Sequence, residues 1–342
     1  MSKKGTTSKW KEKISKRRND EASSAYGQQA EQQVAVRTLS NDKIDASLLE
    51  LGKLALAFVI LFMATMSNGL VMGYTHQYAV KYINKTEPLA DSLFEVIPLV
   101  PWTWLAADVC TGATAIVSFL VLLFHRQRIV ILRRAALVAA FLYCLRSITL
   151  LSTYLPPPFP SDPLRCLPAI DIKQEPTEYL TRAFLLVAKM GSSSDGKLIL
   201  CGDTIFSGHT MVVVVSYWFL KHYCPDPLRP MALLIVLPLA LLAIVCLIVS
   251  RQHYTVDVVV AIFLSVPILK VYHFWLREKS RRYVKGVAGI LHPLHNLFVF
   301  FESNKEDGPV GNELCWPLPW PECLIAYFQG LNRIRLPSEQ CV

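Results

Sequence analysis

Six blocks of mostly apolar residues, each about 20 long, are the length an α-helix needs to cross the hydrocarbon core of a bilayer. They run near Leu51–Tyr74, Trp102–Phe124, Ala135–Leu155, Ile205–Leu220, Met231–Val249 and Val256–Trp275. Lipid offers no partner for backbone N–H and C=O groups, so such blocks must satisfy them internally as helices. The expected fold class is all-α: a polytopic membrane protein with six transmembrane helices. The composition agrees. The chain is 53% hydrophobic and only 18% charged, where soluble proteins carry about 25% charge.

Charge sets the expected orientation. Basic residues gather in the N-terminal tail, in His125–Arg134, in Lys221–Arg229 and in Arg277–Lys285. With six spans all four segments fall on one side, which the positive-inside rule makes the cytosol. Both termini are therefore expected to be cytosolic. The net charge of +9 is read as membrane orientation and contact with anionic lipid, so no nucleic-acid partner is expected. The basic, polar first 18 residues lack the apolar core of a cleavable leader, leaving the first span as the signal. Asn84-Lys85-Thr86 is a glycosylation sequon on the opposite, lumenal or exterior, side. Residues 178–200 hold an apolar patch too short to span, read as an interfacial or re-entrant helix.

Nine cysteines show no zinc-site spacing, and no metal or other cofactor is expected. Cys110, Cys144 and Cys246 lie within apolar runs and read as small core residues. Cys166 and Cys201 fall on the lumenal side, where the redox environment permits a disulfide. In the C-terminal tail, Cys315, Cys323 and Cys341 are sites where reversible acylation is expected.

Two strings carry chemistry: CGDTIFSGHT (Cys201–Thr210) and QHYTVDVVVA (Gln252–Ala261). Each puts a histidine at the lumenal mouth of an apolar run, although the spans were drawn from apolarity and charge alone. His253 and Asp257 are four apart, a spacing that shares one helix face and lets the carboxylate fix the imidazole tautomer. Ser207 and Gly208 at a helix start suit an anion, through hydroxyl and amide donors and close backbone approach. His209 beside them could protonate a leaving alkoxide. Asp203 could orient His209, hold a cationic head group or cap the helix. Arg146, costly in a span unless paired, could bind phosphate or pair with Asp108. Tyr254 is among the aromatic residues at the right depth to face a choline group. The candidate catalytic residues are thus His209, His253 and Asp257. Arg146, Asp203, Ser207, Gly208 and Tyr254 are candidates for substrate binding.

CGDTIFSGHT resembles the third signature of the sphingomyelin synthase family, and HYTVDVVVA resembles the fourth. RSITLLSTYLP (Arg146–Pro156) is similar to the second. EPLADSLFEVI (Glu87–Ile97) is similar to the first but has Ala90 where a second proline is usual. FVFFESN and CWPLPWPEC also resemble family strings. Only the SGH and HxxxD cores are shared with the wider lipid phosphate phosphatase-like superfamily. The resemblance implies a lipid phosphate phosphatase-like core whose site faces the lumen or exterior. It implies transfer of phosphocholine from phosphatidylcholine to the primary hydroxyl of ceramide, giving sphingomyelin and diacylglycerol. It places the family triad on His209, His253 and Asp257 and residence in the Golgi, the plasma membrane or both.

The expected organisation is a disordered basic tail at 1–50, a six-span catalytic domain at 51–276 and a cytosolic tail at 277–342. The expected mechanism passes through a phosphohistidine on His253. Two neighbouring readings keep the same core: a ceramide phosphoethanolamine synthase, and a lipid phosphate phosphatase with water as acceptor. The phosphatase superfamily puts an arginine six residues before its second histidine; Leu247 stands there in this chain. A transporter would distribute polar residues along several spans, whereas Met231–Val249 has none. A homo-oligomer is compatible with the sequence.

Overall fold

A computed structural model of the chain describes residues 48–81, 87–159, 166–170, 172, 174–188, 201–279, 292–302 and 314. The Asn84 sequon, most of the first 50 residues and the three tail cysteines lie outside the described residues. The helices are α1 (Leu48–Lys81), α2 (Ser92–Val96), α3 (Thr103–Leu123), α4 (Arg128–Ser152) and α5 (Pro176–Ala188). They continue with α6 (Gly208–Tyr223), α7 (Arg229–Val249), α8 (Thr255–Lys279) and α9 (His292–Phe301). The chain divides into two compact units, Met1–Lys53 and Leu54–Val342. In the first, the described residues are the opening turns of α1, where Lys53 lies 3.6 Å from Glu50. The second holds everything that follows.

Five helices, α1, α3, α4, α7 and α8, are long and apolar enough to cross a bilayer, which makes this an integral membrane protein. The fourth expected span differs. Its helix, α6, has 16 residues and begins at Gly208 rather than Ile205. Ser207 stops it from starting earlier, because its side chain caps the first turn by accepting from the Thr210 amide. At 1.5 Å per residue α6 is about 24 Å long. It is nonetheless central, packing against α3, α7 and α8. Leu142 of α4, Met211 and Phe219 of α6, and Ala261 and Leu269 of α8 share one buried cluster. Cys110, Val213, Ala240 and Ala243 join α3, α6 and α7 in another. Cys144, expected in the core, is exposed on α4.

Helix α5 runs antiparallel along α1. Tyr179 covers Gly73, where a Cβ would come within 2.8 Å of its ring, and Ala183 covers Gly69 through its carbonyl. The Tyr179 hydroxyl donates to the Leu70 carbonyl, and the side-chain amide of Gln77 donates to that of Ile170. Four residues of α1 separate the two glycines, so α5 descends beside it by about 6 Å over this contact.

The chain after α8 does not simply leave the bundle. Phe301 packs with Ala57 and Ala136. Glu302, fully buried, accepts a fork of hydrogen bonds from Arg134, Nε at 3.2 Å to Oε1 and Nη2 at 2.9 Å to Oε2. The Tyr272 hydroxyl donates to Oε1 at 3.0 Å, and Arg133 Nη2 lies 3.8 Å from Oε2. Phe301 and Glu302 are thus packed against the helices that precede them.

Candidate active site

The constellation sits where α3, α4, α6 and α8 bring four of their ends together. His209 is the second residue of α6, in the turn capped by Ser207. The Ser207 amide donates to the Asp257 carbonyl at 3.2 Å, which ties the start of α6 to the first turn of α8. The rings of His209 and His253 lie 6.3 Å apart between centroids, tilted by 59°. Each has a carboxylate beside it. His209 Nε2 is 3.0 Å from Asp108 Oδ1 of α3, and His253 Nδ1 is 3.6 Å from Asp257 Oδ2.

His253 is not on α8, which begins at Thr255; it stands in the bend before the helix. Its approach to Asp257 therefore comes from the turn and not from a shared helical face. Asp257 Oδ2 accepts the Tyr254 amide at 2.9 Å, and the 3.6 Å approach of the imidazole to the same oxygen is longer than a hydrogen bond. His253 and Asp257 are buried, whereas the His209 side chain keeps 16% of its surface open.

Arg146, near the end of α4, lies under the start of α6. A Cβ on Gly208 would sit 3.3 Å from its Cζ, so the absence of a side chain there lets the guanidinium approach the backbone. Its Nε donates to the Phe206 carbonyl at 2.8 Å and its Nη1 to Asn68 Oδ1 of α1 at 2.7 Å. Its Nη2 pairs with Asp203. Arg146 is thus paired as a cation in a span must be, but with Asp203 and not with Asp108. Asp203 accordingly does not cap α6.

The segment carrying Asp203 is fastened on three sides. Cys201 forms a disulfide with Cys166, with Cα atoms 5.7 Å apart. The Cys201 amide donates to His76 Nδ1 at 3.0 Å, so Nε2 of that ring carries the proton it donates to the Leu167 carbonyl at 2.9 Å. Thr75 Oγ1 donates to the Gly202 carbonyl at 3.0 Å. Gly202 passes so close to α1 that a Cβ would stand 2.4 Å from the His76 backbone nitrogen.

A model of the PAP2 superfamily C-terminal region matches residues 200–274, the stretch with both histidines and Asp257. Phosphatidylcholine:ceramide cholinephosphotransferase 2 of Caenorhabditis elegans is 32% identical over 286 residues, covering 81% of this chain and 81% of that protein. This chain belongs to the phosphatidylcholine:ceramide cholinephosphotransferase, or sphingomyelin synthase, family. The like-named protein 2 of Homo sapiens is 29% identical over 311 residues, 90% of this chain and 82% of its own. Sphingomyelin synthase-related protein 1 of Homo sapiens is 29% identical over 272 residues, 80% of this chain and 63% of its own. Membership makes this chain an enzyme, a membrane phosphotransferase.

In this sphingomyelin synthase family member, the structure brings His209, His253, Asp257, Ser207, Gly208, Arg146 and Asp203 together. Tyr254 stands apart in role. Its ring is buried, and its hydroxyl donates to the Pro156 carbonyl at 3.1 Å and accepts from the Leu89 amide at 3.0 Å. The phenol is committed to the main chain, so it braces two loops instead of presenting a face to a head group. Asp108, expected only as a possible partner of Arg146, stands instead beside His209, and Asn68 beneath Arg146 was not anticipated from the motifs. An acidic residue nearly two turns into an apolar span was the available signal for Asp108 beside a site. Among the described residues, no three His, Cys, Asp or Glu side chains gather as metal ligands.

Proposed function

We propose that this enzyme transfers phosphocholine from phosphatidylcholine to the primary hydroxyl of ceramide, releasing diacylglycerol and forming sphingomyelin. The reading is carried by one observation: two imidazoles 6.3 Å apart at one end of the bundle, each beside its own carboxylate. That separation accommodates a single phosphoryl group between the rings. The names of the relatives supply the two lipids.

Asp257 addresses His253 Nδ1, leaving Nε2 to attack phosphorus. The P–O bond to diacylglycerol breaks as the P–N bond forms. His209, oriented through Nε2 by Asp108, gives the Nδ1 proton to the departing alkoxide. The same nitrogen then takes the proton of the ceramide hydroxyl, whose oxygen attacks phosphorus and breaks the P–N bond. Both rings return to their starting states, and atoms and charge balance. The long His253–Asp257 distance suits a resting site, since such contacts commonly tighten when substrate binds. The amides of Gly208 and His209, at the capped start of α6, are assigned to the phosphate oxygens, with Arg146 fixing that turn from beneath through the Phe206 carbonyl.

The same proposal places the reacting end at the lumen or exterior and both termini in the cytosol, in the Golgi, the plasma membrane or both. It is supported by the four basic segments falling on one side. Residues 51–276 are the proposed catalytic domain, on six crossings that include α6.

The test is transfer in liposomes of defined lipid, with head-group-labelled phosphatidylcholine and purified protein. Ceramide-dependent label in sphingomyelin is expected, and His253→Ala should abolish it while the protein remains inserted. Retention of most activity by His253→Ala overturns the nucleophile. Label released without ceramide would make the protein a hydrolase. Preferential use of phosphatidylethanolamine would make it an ethanolamine-phosphate transferase.

A further inference from the structure

Helix α8 lacks the cap it needs. The last residue before it is Tyr254, and a phenol cannot reach back to cap its own helix as serine, threonine or aspartate does. Asp257, in the first turn, provides only half of a capping box: its Oδ2 accepts the Tyr254 amide at 2.9 Å. A further acceptor for the first turn comes from elsewhere in the chain. Asp91, just before α2, accepts the Thr255 amide at 2.7 Å through Oδ2 and the Thr255 hydroxyl at 2.7 Å through Oδ1. The same Oδ1 accepts the Leu93 amide at 3.0 Å, so one carboxylate caps α2 and α8 together.

The segment around Asp91 grips both flanks of His253. On one flank the Tyr254 hydroxyl receives the Leu89 amide, and its ring stacks on Phe94 at 5.8 Å. On the other, Arg251 has φ of 52°, a left-handed conformation uncommon for a residue with a side chain. It is held there by Nη2 donating to the Phe94 carbonyl at 3.1 Å and by its guanidinium lying 4.9 Å from the Phe94 ring centre. Upstream, the Val100 amide donates to the Val249 carbonyl at 3.2 Å. His253 thus sits in a bend whose neighbours on both sides are fixed by residues 89–94.

We propose that Asp91 is a positioning residue for the transfer reaction: by capping α8 from outside, it holds the bend of His253 and the aim of Asp257. With Thr255 anchored, Asp257 needs only its Tyr254 bond to close the first turn and can still face the imidazole. Without Asp91, the α8 amides lose an acceptor and the first turn opens, carrying the carboxylate away from His253. The inference rests on the reading of His253 and Asp257 as the reacting pair.

The experiment compares Asp91→Ala, Asp91→Asn and the unaltered protein, purified in the same liposomes. Two readings are taken: hydrogen exchange over residues 253–258, with α7 as internal control, and kcat and KM for phosphatidylcholine. For Asp91→Ala, exchange over 253–258 should quicken about tenfold or more while α7 is unchanged. Its kcat should fall about 10- to 100-fold with KM within about twofold. Asp91→Asn keeps one accepting oxygen and should recover part of both. If Asp91→Ala does not accumulate folded, Asp91→Asn alone decides, with the same changes expected at smaller size. Unchanged exchange overturns the cap. Faster exchange with unaltered kcat leaves a purely structural cap and overturns the positioning role. A fully active His253→Ala would sink the reading of the site instead, and the exchange result would stand apart from it.

Discussion

Asp108 Oδ1 stands 3.0 Å from His209 Nε2, although the two residues come from α3 and α6. In the proposed mechanism this carboxylate orients the ring that serves as acid and then as base. Asp108→Asn keeps the shape and removes the charge that stabilises the imidazolium. Its kcat for sphingomyelin formation should fall about 100-fold, within the range one positioned proton-transfer group contributes. KM should change little. Initial rates in liposomes across substrate concentrations measure this.

Arg146 holds four elements at once: its own α4, the Phe206 carbonyl before α6, Asn68 of α1 and Asp203. Arg146→Met leaves Asp203 and Asn68 without this partner, and because Asp203 is only partly buried the loss should be about 1–3 kcal/mol. Arg146→Lys should rescue little of that, because an ammonium cannot make the same planar fork. Thermal unfolding in detergent, followed by near-ultraviolet circular dichroism, would register both losses.

Glu302→Gln should lower the unfolding midpoint although residue 302 is far along the chain from every catalytic candidate. It leaves Arg133 and Arg134 buried without their shared carboxylate, at a cost of about 3 kcal/mol or more. Paired replacement, Arg134→Met with Glu302→Leu, should recover most of the midpoint, because well-packed apolar side chains commonly replace a buried ion pair without loss.

The Asp91 carboxyl predicts a pH dependence. Burial pushes it up, but the hydroxyl and amide of Thr255 and the amides of Leu93 and Phe94 favour the anion and hold it below its ordinary value of 3.8. A carboxyl depressed on folding adds stability that is complete above the ordinary value and is lost as pH falls through the folded one. The gap in unfolding midpoint between the unaltered protein and Asp91→Asn should be full from about pH 5 upward and close below about pH 4. A gap that widens on acidification would contradict this assignment.

The helical class and the meeting of two distant histidines were legible because apolar length and alternation of loops determine which helix mouths share a side. His209 and His253 need only that parity. Their carboxylates show where such reasoning stops. Asp257 is near His253 in sequence, yet the spacing suggested a helical face where a bend exists, because Ser207, Tyr254 and Asp91 decide where helices begin. Asp108 belongs to another helix, and no spacing rule ties it to His209; only packing of α3 on α6 does. Arg146 was recognisable as a cation needing a partner, but two aspartates were available, and the fastening of Gly202 against α1 chose Asp203. Tyr254 had the right depth for a head group. Depth does not reveal that a hydroxyl has found a carbonyl and an amide instead.

The bond from Arg134 to Glu302 closes over 168 residues, and a ribosome adding about 5–20 residues per second needs roughly 10–30 s for that interval. Helix α4 must therefore enter the bilayer long before its carboxylate exists. During that time the arginine pair has to be tolerated by the insertion machinery, by surface lipid or by another chain. Maturation of this enzyme consequently has a late step: the contact that closes α4 onto Glu302 forms only after α9 has left the ribosome.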